Sequence, residues 1–314
     1  MSSLHSKGTL LITGGRGMVG RNVSEAAERA GWTVVAPPRS ELDLFDYRSV
    51  LAFFRRARPD VIVHAAGRVG GIQANIASPV AFLVENVDVG RNVLLAAREA
   101  CVANVLNLAS SCMYPREAHN PLAEELVLSG RLEPTNEGYA LAKIFATKLC
   151  EYIGREDPAL NYKTLIPCNL YGLYDKFDAQ TSHLVPAIIR KVHAAIDNGH
   201  DTVDIWGDGT ARREFMFAGD LADAILHAID DLGSLPPVMN IGLGFDYSIN
   251  DYYAAVAAVA GWQGRFSHDL TKPVGMKQKL VDTSLQSAWG WSPSHSLTDG
   301  LRKTYEHYLE IVRR

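Results

Sequence analysis

The 314-residue chain is 47% hydrophobic and 21% charged, enough apolar material for a large core, and its 31 Lys and Arg against 35 Asp and Glu leave a net charge of -4. That balance excludes the global basic field of a nucleic-acid or anionic-membrane binder, so an anionic ligand must be held by local chemistry. No apolar run approaches the roughly 20 residues of a membrane helix, the polar opening MSSLHSKG lacks a signal-peptide pattern, and Cys101, Cys112, Cys150 and Cys168 lack CxxC spacing, which together predict a cytoplasmic protein with free thiols and no metal.

Apolar segments at 9–13, 33–36, 60–65, 105–109 and 164–167 are continuous rather than alternating, which predicts parallel strands buried on both faces. Helical patterning at 18–30, 47–56, 79–100 and 139–155 lies between them. The fold class is therefore α/β, a Rossmann-type doubly wound parallel sheet. Residues 67–78 and 115–138 resist regular assignment and follow the C-terminal ends of strands, where open α/β sheets bind ligands. Beyond residue 167 the alternation loosens: 169–217 and 264–293 read as a smaller, interleaved substrate-binding lobe, while 218–231 and 238–241 return to the sheet. The expected division is a dinucleotide-binding domain over 1–167, joined by returning segments at about 218–250, with the rest of 168–314 mainly the smaller lobe.

The first strand ends in Thr13-Gly14-Gly15-Arg16-Gly17-Met18-Val19-Gly20, a glycine loop opening directly into a helix. Gly14 suits a tight turn, Gly17 close approach to a pyrophosphate, and Gly20 close helix–strand packing, with the phosphate at the positive helix end. The second strand runs out at Pro37-Pro38-Arg39. An NAD site places an acid there, whereas Arg39, helped by Arg16, suits the 2′-phosphate of NADP(H); the competing reading is an arginine capping a surface turn.

Tyr139 and Lys143 stand one helical turn apart on one face, a spacing at which an ammonium can lower the pKa of a phenol. Ser110, in Ser110-Ser111-Cys112-Met113-Tyr114-Pro115 at the end of the fourth strand, falls on the same sheet edge as the cofactor loop. Cys112 suits proton abstraction beside a ketone if its pKa is lowered, against the competing reading of a small buried hydrophobe. His183, at the start of a helix over 183–195, has a near-neutral pKa suited to acid/base work, against a helix-end contact.

TGGRGMVG, SSCMYP, EPTNEGYALAK, NLYG, SHLVPAIIRK and IWGDGTARREF, taken in order, resemble the motif series of the GDP-L-fucose synthases, within the extended short-chain dehydrogenase/reductase family. The resemblance runs from about Leu10 to the C-terminal helix. It implies an NADP(H)-dependent 3,5-epimerase/4-reductase of a 4-keto-6-deoxy nucleotide sugar, with a homodimer built on the helices at 79–100 and 139–155. Ser110, Tyr139 and Lys143 would form the reductase triad, and Cys112 and His183 the epimerase acid/base pair.

The implied cofactor contacts are Gly14, Gly15, Arg16, Gly17, Met18, Val19, Gly20, Arg39, Asp43, Ala65, Ala66, Gly67, Tyr139, Lys143, Pro167, Asn169, Leu170 and His183. Lys191, Trp206, Arg213 and Asp282 would hold the nucleotide sugar, cationic groups being what a diphosphate needs. One stretch departs from the family pattern KPDGTPRKLLD: Val274 replaces the Asp, and Met276-Lys277 replace Thr-Pro. The sugar therefore stays open between GDP-4-keto-6-deoxymannose, a colitose precursor, a 6-deoxyheptose and a dTDP-hexose. A non-catalytic NADP-binding regulator is the reading from another class.

Overall fold

The computed structural model describes residues 7–178, 182–272 and 276–313. Strands β1 (Thr9–Thr13), β2 (Thr33–Val35), β3 (Val61–His64), β4 (Asn104–Leu108) and β5 (Asn161–Pro167) alternate with helices α1 (Met18–Arg29), α2 (Tyr47–Ala57), α3 (Ile72–Ala77), α4 (Pro79–Glu99) and α5 (Glu137–Glu156). Then follow β6 (Asn169–Tyr171), α6 (Leu184–Asp197), β7 (Thr202–Trp206), β8 (Arg212–Arg213), β9 (Phe215–Phe217), α7 (Ala218–Asp230), β10 (Val238–Ile241) and β11 (Tyr247–Ser248). The chain ends with α8 (Ile249–Ala260), β12 (Arg265–Asp269), β13 (Gln278–Lys279), α9 (Ser284–Trp289) and α10 (Leu297–Val312).

Six parallel strands form the main sheet in the order β10-β5-β4-β3-β1-β2. The two-residue period of a strand explains its uninterrupted apolar sequence: Leu10 and Ile12 enter one core with Val23 of α1 and Leu221 of α7, while Leu11 enters the other with Phe54 of α2 and Val93 of α4. The fold is thus the doubly wound sheet that the sequence predicts. A third core, with Ile188 of α6, Ile205 of β7, Phe215 of β9 and Tyr252 of α8, supports the smaller sheets β6-β9, β7-β12 and β11-β8-β13.

Two elements are longer or more regular than expected. Strand β5 starts at Asn161 because Tyr162 is buried and donates from its hydroxyl to Val102 O at 3.1 Å; the polar neighbours Asn161 and Lys163 hide this extension from an apolar-run reading. Residues 67–78 contain α3, whose turn is closed by Asn75 Nδ2 donating to Gly70 O at 2.9 Å and Gly71 O at 3.1 Å. Residues 115–138 hold the short 3₁₀ turns Glu124–Leu126 and Pro134–Asn136 and the first residues of α5. This loop is anchored where Leu122 N donates to Leu280 O at 2.8 Å and Asp282 N donates to Leu122 O at 2.9 Å.

Candidate active site

The chain passes from β1 outward to β2 and then back to β3 on the other side of β1, so the crevice above β1 and β3 is the topological switch point of the sheet. A cavity of about 660 Å³ opens there, and every candidate cofactor residue lines it. Gly14 adopts φ +75°, and a Cβ on it would stand 2.7 Å from Ala66 Cα; a Cβ on Gly20 would overlap the Gly14 carbonyl oxygen. Gly17 precedes α1 without a side-chain cap, which leaves the first N–H groups of that helix open to an anion. Arg39 is exposed on the cavity wall and makes no ion pair among the described residues; its guanidinium lies 5.1 Å from the Phe45 ring centroid. Asp43 Oδ1 accepts from Phe45 N at 3.1 Å, so this acid shapes the turn beside Arg39.

The other end of the cavity is built where β4 runs out. Ser110 caps the turn Ser111–Met113, its Oγ accepting from Cys112 N at 3.4 Å, and its hydroxyl acts on both the Tyr139 phenol and the Cys112 thiol. Helix α5 presents Tyr139 and Lys143 to the same place. The Phe82 ring meets Tyr139 edge-on at 6.3 Å. Lys143 Nζ donates to Leu108 O at 2.8 Å and lies 5.7 Å from the Tyr139 ring centroid. Ser110, Tyr139, Lys143 and His183 line the cavity; Cys112 is buried beside Ser110, outside the lining.

The protonation states correct one expectation. The Lys143 ammonium does not bring the phenol down: burial pushes Tyr139 above its ordinary range, with the nearby Cys112 adding to the rise. The reason is that a low dielectric penalises the phenolate. Burial also lowers Lys143 to about 8 and raises Cys112. His183 lines the cavity and keeps an exposed surface, yet desolvation by the surrounding walls, and then Lys176, hold it below the ordinary imidazole range. The phenol therefore keeps a proton to give at neutral pH, and the imidazole is free to take one.

The four residues expected to hold the sugar nucleotide lie outside the lining of this cavity, Lys191 on α6, Trp206 and Arg213 on the smaller sheets and Asp282 on the segment after β13. Trp206, at the end of β7, is half exposed and flanked by Lys191 Nζ at 5.5 Å and Lys272 Nζ at 5.6 Å from its ring centroid. Lys191 is ion-paired to Asp204 at 2.9 Å. Arg213 stands opposite Lys279 in the pairing of β8 with β13. The Asp282 carboxylate accepts from Ser284 N at 2.7 Å and so also closes the turn into α9. Of the altered stretch, Val274 lies outside the described residues; Lys277 O accepts from Arg212 N at 2.9 Å, and Gln278 Nε2 donates to Asp246 Oδ2 at 2.6 Å. Sequence reasoning passed over Lys272 and Lys279, although both stand in the motif it singled out. Cys168, which no motif singles out, is buried and also forms part of the cavity wall.

Among the described residues no helix is long and apolar enough to cross a membrane. The model of the NAD dependent epimerase/dehydratase family matches residues 10–242. The chain is 49% identical to a GDP-L-colitose synthase of Yersinia pseudotuberculosis, over 96% of this chain and 97% of that one. It is 52% identical to a GDP-L-fucose synthase of Azorhizobium caulinodans, over 96% of each. Among solved structures, MlghC, a GDP-mannoheptose C4 reductase from Campylobacter jejuni with NADP bound, superposes with a TM-score of 0.89 at 29% identity, covering 97% of this chain and 99% of that one. With its switch-point cavity and a Ser, Tyr and Lys gathered at the sheet edge, the chain belongs to the NAD dependent epimerase/dehydratase family, among its GDP-sugar synthases and reductases.

Proposed function

We propose that the chain is an NADPH-dependent epimerase/reductase of a 4-keto-6-deoxy nucleotide sugar, converting GDP-4-keto-6-deoxymannose to GDP-L-fucose. The observation that carries this reading is the convergence of Ser110, Tyr139 and Lys143 at the inner end of a cavity whose outer end offers Arg39, with Cys112 buried beside Ser110. A reductase alone needs the phenol and the lysine; the thiol beside them adds a group for moving protons on carbon.

NADPH, when bound, supplies the reducing equivalents at C4 of the sugar. Gly14, Gly17 and Gly20 would give its pyrophosphate room and Arg39 would pair with its 2′-phosphate. Tyr139 donates its phenolic proton to the C4 oxygen, steadied by Ser110, while the Lys143 ammonium favours that transfer electrostatically. Cys112 and His183 take and return protons at C3 and C5, each next to the ketone. The Trp206 face, Lys191, Arg213 and Asp282 hold the nucleotide diphosphate. The division of labour between residues 1–167 with 218–250 and the remainder of 168–314 follows from this assignment. So does a cytoplasmic, homodimeric enzyme, supported by free thiols and by the exposed Val80, Val84, Leu141, Phe145 and Tyr152 on α4 and α5.

A second reading, action on a colitose precursor, is favoured by the 49% identity to a GDP-L-colitose synthase over nearly the whole chain. Incubation with a panel of 4-keto GDP sugars and NADPH, followed by NMR of the products, separates the two. Fastest turnover of GDP-4-keto-6-deoxymannose is expected; preference for the colitose precursor would replace the first reading with the second.

A further inference from the structure

Between Arg213 and the cavity-lining Phe215 stands Glu214, which is wholly buried. Three backbone N–H groups meet its carboxylate: Oε1 accepts from Leu243 N at 2.6 Å and from Gly244 N at 3.1 Å, and Oε2 accepts from Val281 N at 3.0 Å. The fit leaves no room for a side chain at Gly242, where a Cβ would overlap Oε1. Glu214 O in turn accepts from Asn169 Nδ2 at 2.9 Å, and Asn169 lines the cofactor cavity.

These partners come from different parts of the chain. Leu243 and Gly244 follow β10, the edge strand of the main sheet; Val281 follows β13 and precedes Asp282; Asn169 opens β6. One carboxylate therefore ties the main sheet to the two segments that carry Arg213 and Asp282. Hydrogen bonds to a charged acceptor are the strong ones, and a buried carboxylate stripped of its donors is costly, so this placement of the segments is favoured over others. The titratable and charged side chains around Glu214 are Arg213 beside it, Lys279 opposite Arg213 on β13, Asp246 before β11 and Cys168 after β5. Asp246 is itself engaged by Arg212 Nε and Gln278 Nε2, each at 2.6 Å. Burial pushes the Glu214 carboxyl up to about 7, against the pull of its three N–H donors.

We propose that Glu214 is a positioning residue for the nucleotide sugar: its carboxylate sets Arg213 and Asp282 in the placement that the ligand requires beside the cofactor cavity. This rests on the reading of Arg213 and Asp282 as groups that hold the nucleotide sugar. Glu214 does not line the cavity and acts through these neighbours.

The test measures the Kd of GDP-mannose, used as a probe without a keto group, by calorimetry on the full chain, with NADPH binding to confirm that each variant is folded. Glu214→Gln keeps the shape of the side chain but turns one acceptor oxygen into an amide donor that faces an N–H group. It is expected to weaken GDP-mannose about tenfold and to change the Kd for NADPH by less than about twofold. In a chain already carrying Arg213→Met and Asp282→Asn, the same substitution should change the GDP-mannose Kd by less than about threefold, because the groups it positions are gone. A parent-like Kd in Glu214→Gln, or an equal loss in both backgrounds, would overturn the proposal and leave Glu214 as a link in the core. If Arg213→Met with Asp282→Asn binds GDP-mannose like the parent, the reading of those two residues fails and the proposal with it. If that pair weakens binding and Glu214→Gln does not, only Glu214 is removed. Where Glu214→Gln no longer binds NADPH, pH replaces the substitution. Parent affinity for GDP-mannose should then fall as pH drops from about 8 to about 6, because the protonated carboxyl cannot accept from all three N–H groups. The chain with Arg213→Met and Asp282→Asn should lack that fall; a flat parent profile, or the same fall in both, would overturn the proposal.

Discussion

Arg39→Ala should separate the two nicotinamide cofactors. The side chain is exposed on the wall of the switch-point cavity, has no ion pair among the described residues, and sits beside an Asp43 carboxylate that accepts from Phe45 N. A charge-assisted hydrogen bond to a phosphate contributes about 1.5–3 kcal/mol, and exposure to solvent places this one toward the lower end, about 1.5–2 kcal/mol. At about 1.4 kcal/mol per tenfold, Kd for NADPH should rise roughly ten- to thirtyfold. NADH lacks the 2′-phosphate, so its Kd should change little. Fluorescence titration of parent and variant with each cofactor reads both numbers, and added salt should narrow the parent's preference. Equal affinity of the parent for NADPH and NADH, or equal losses for both in the variant, would refute the assignment.

Tyr139→Phe should lower net reduction by about 10²–10⁴ while NADPH affinity stays close to the parent's, measured by steady-state turnover and fluorescence titration. Burial brings Lys143 down to about 8 from its usual 10.5, so unfolding takes up a proton between those values and the parent gains stability as pH rises through that window. The melting temperature of Lys143→Met minus that of the parent should therefore fall between about pH 8 and about pH 10.5, and a constant difference would place the ammonium in a wetter setting than its burial indicates. Introducing Val84→Arg with Leu141→Arg should convert a dimer to a monomer by light scattering, since both side chains are exposed on α4 and α5; a dimer that survives both charges would lie on another face.

The sheet was legible because its strands are buried on both faces, so that Leu10, Leu11 and Ile12 announce a strand without any partner in view. The cofactor loop was legible for a related reason: Gly14 at φ +75° and Gly20 against the Gly14 carbonyl leave no room for another residue type. Strand β5 was shortened because Asn161 and Lys163 alternate with the buried Tyr162, which local hydropathy cannot distinguish from a loop. Protonation states were the least legible. The spacing of Tyr139 and Lys143 indicates that they meet, but not that Lys143 donates to Leu108 O while burial dominates the phenol. Lys279 was missed because its place opposite Arg213 depends on a chain crossing, β13 laid beside β8 and pinned through Leu122 and Glu214, that no local pattern encodes.

The central claim, that one site moves protons on carbon and also reduces the ketone, is tested most directly by incubating the chain with GDP-4-keto-6-deoxymannose and NADPH in D₂O and reading the product by NMR. The account expects NADPH consumption, deuterium at both C3 and C5, and an L-configured 6-deoxysugar, with Cys112→Ser giving a product free of that deuterium. A D-configured product without deuterium from the unmutated chain would contradict it and leave a plain 4-keto reductase.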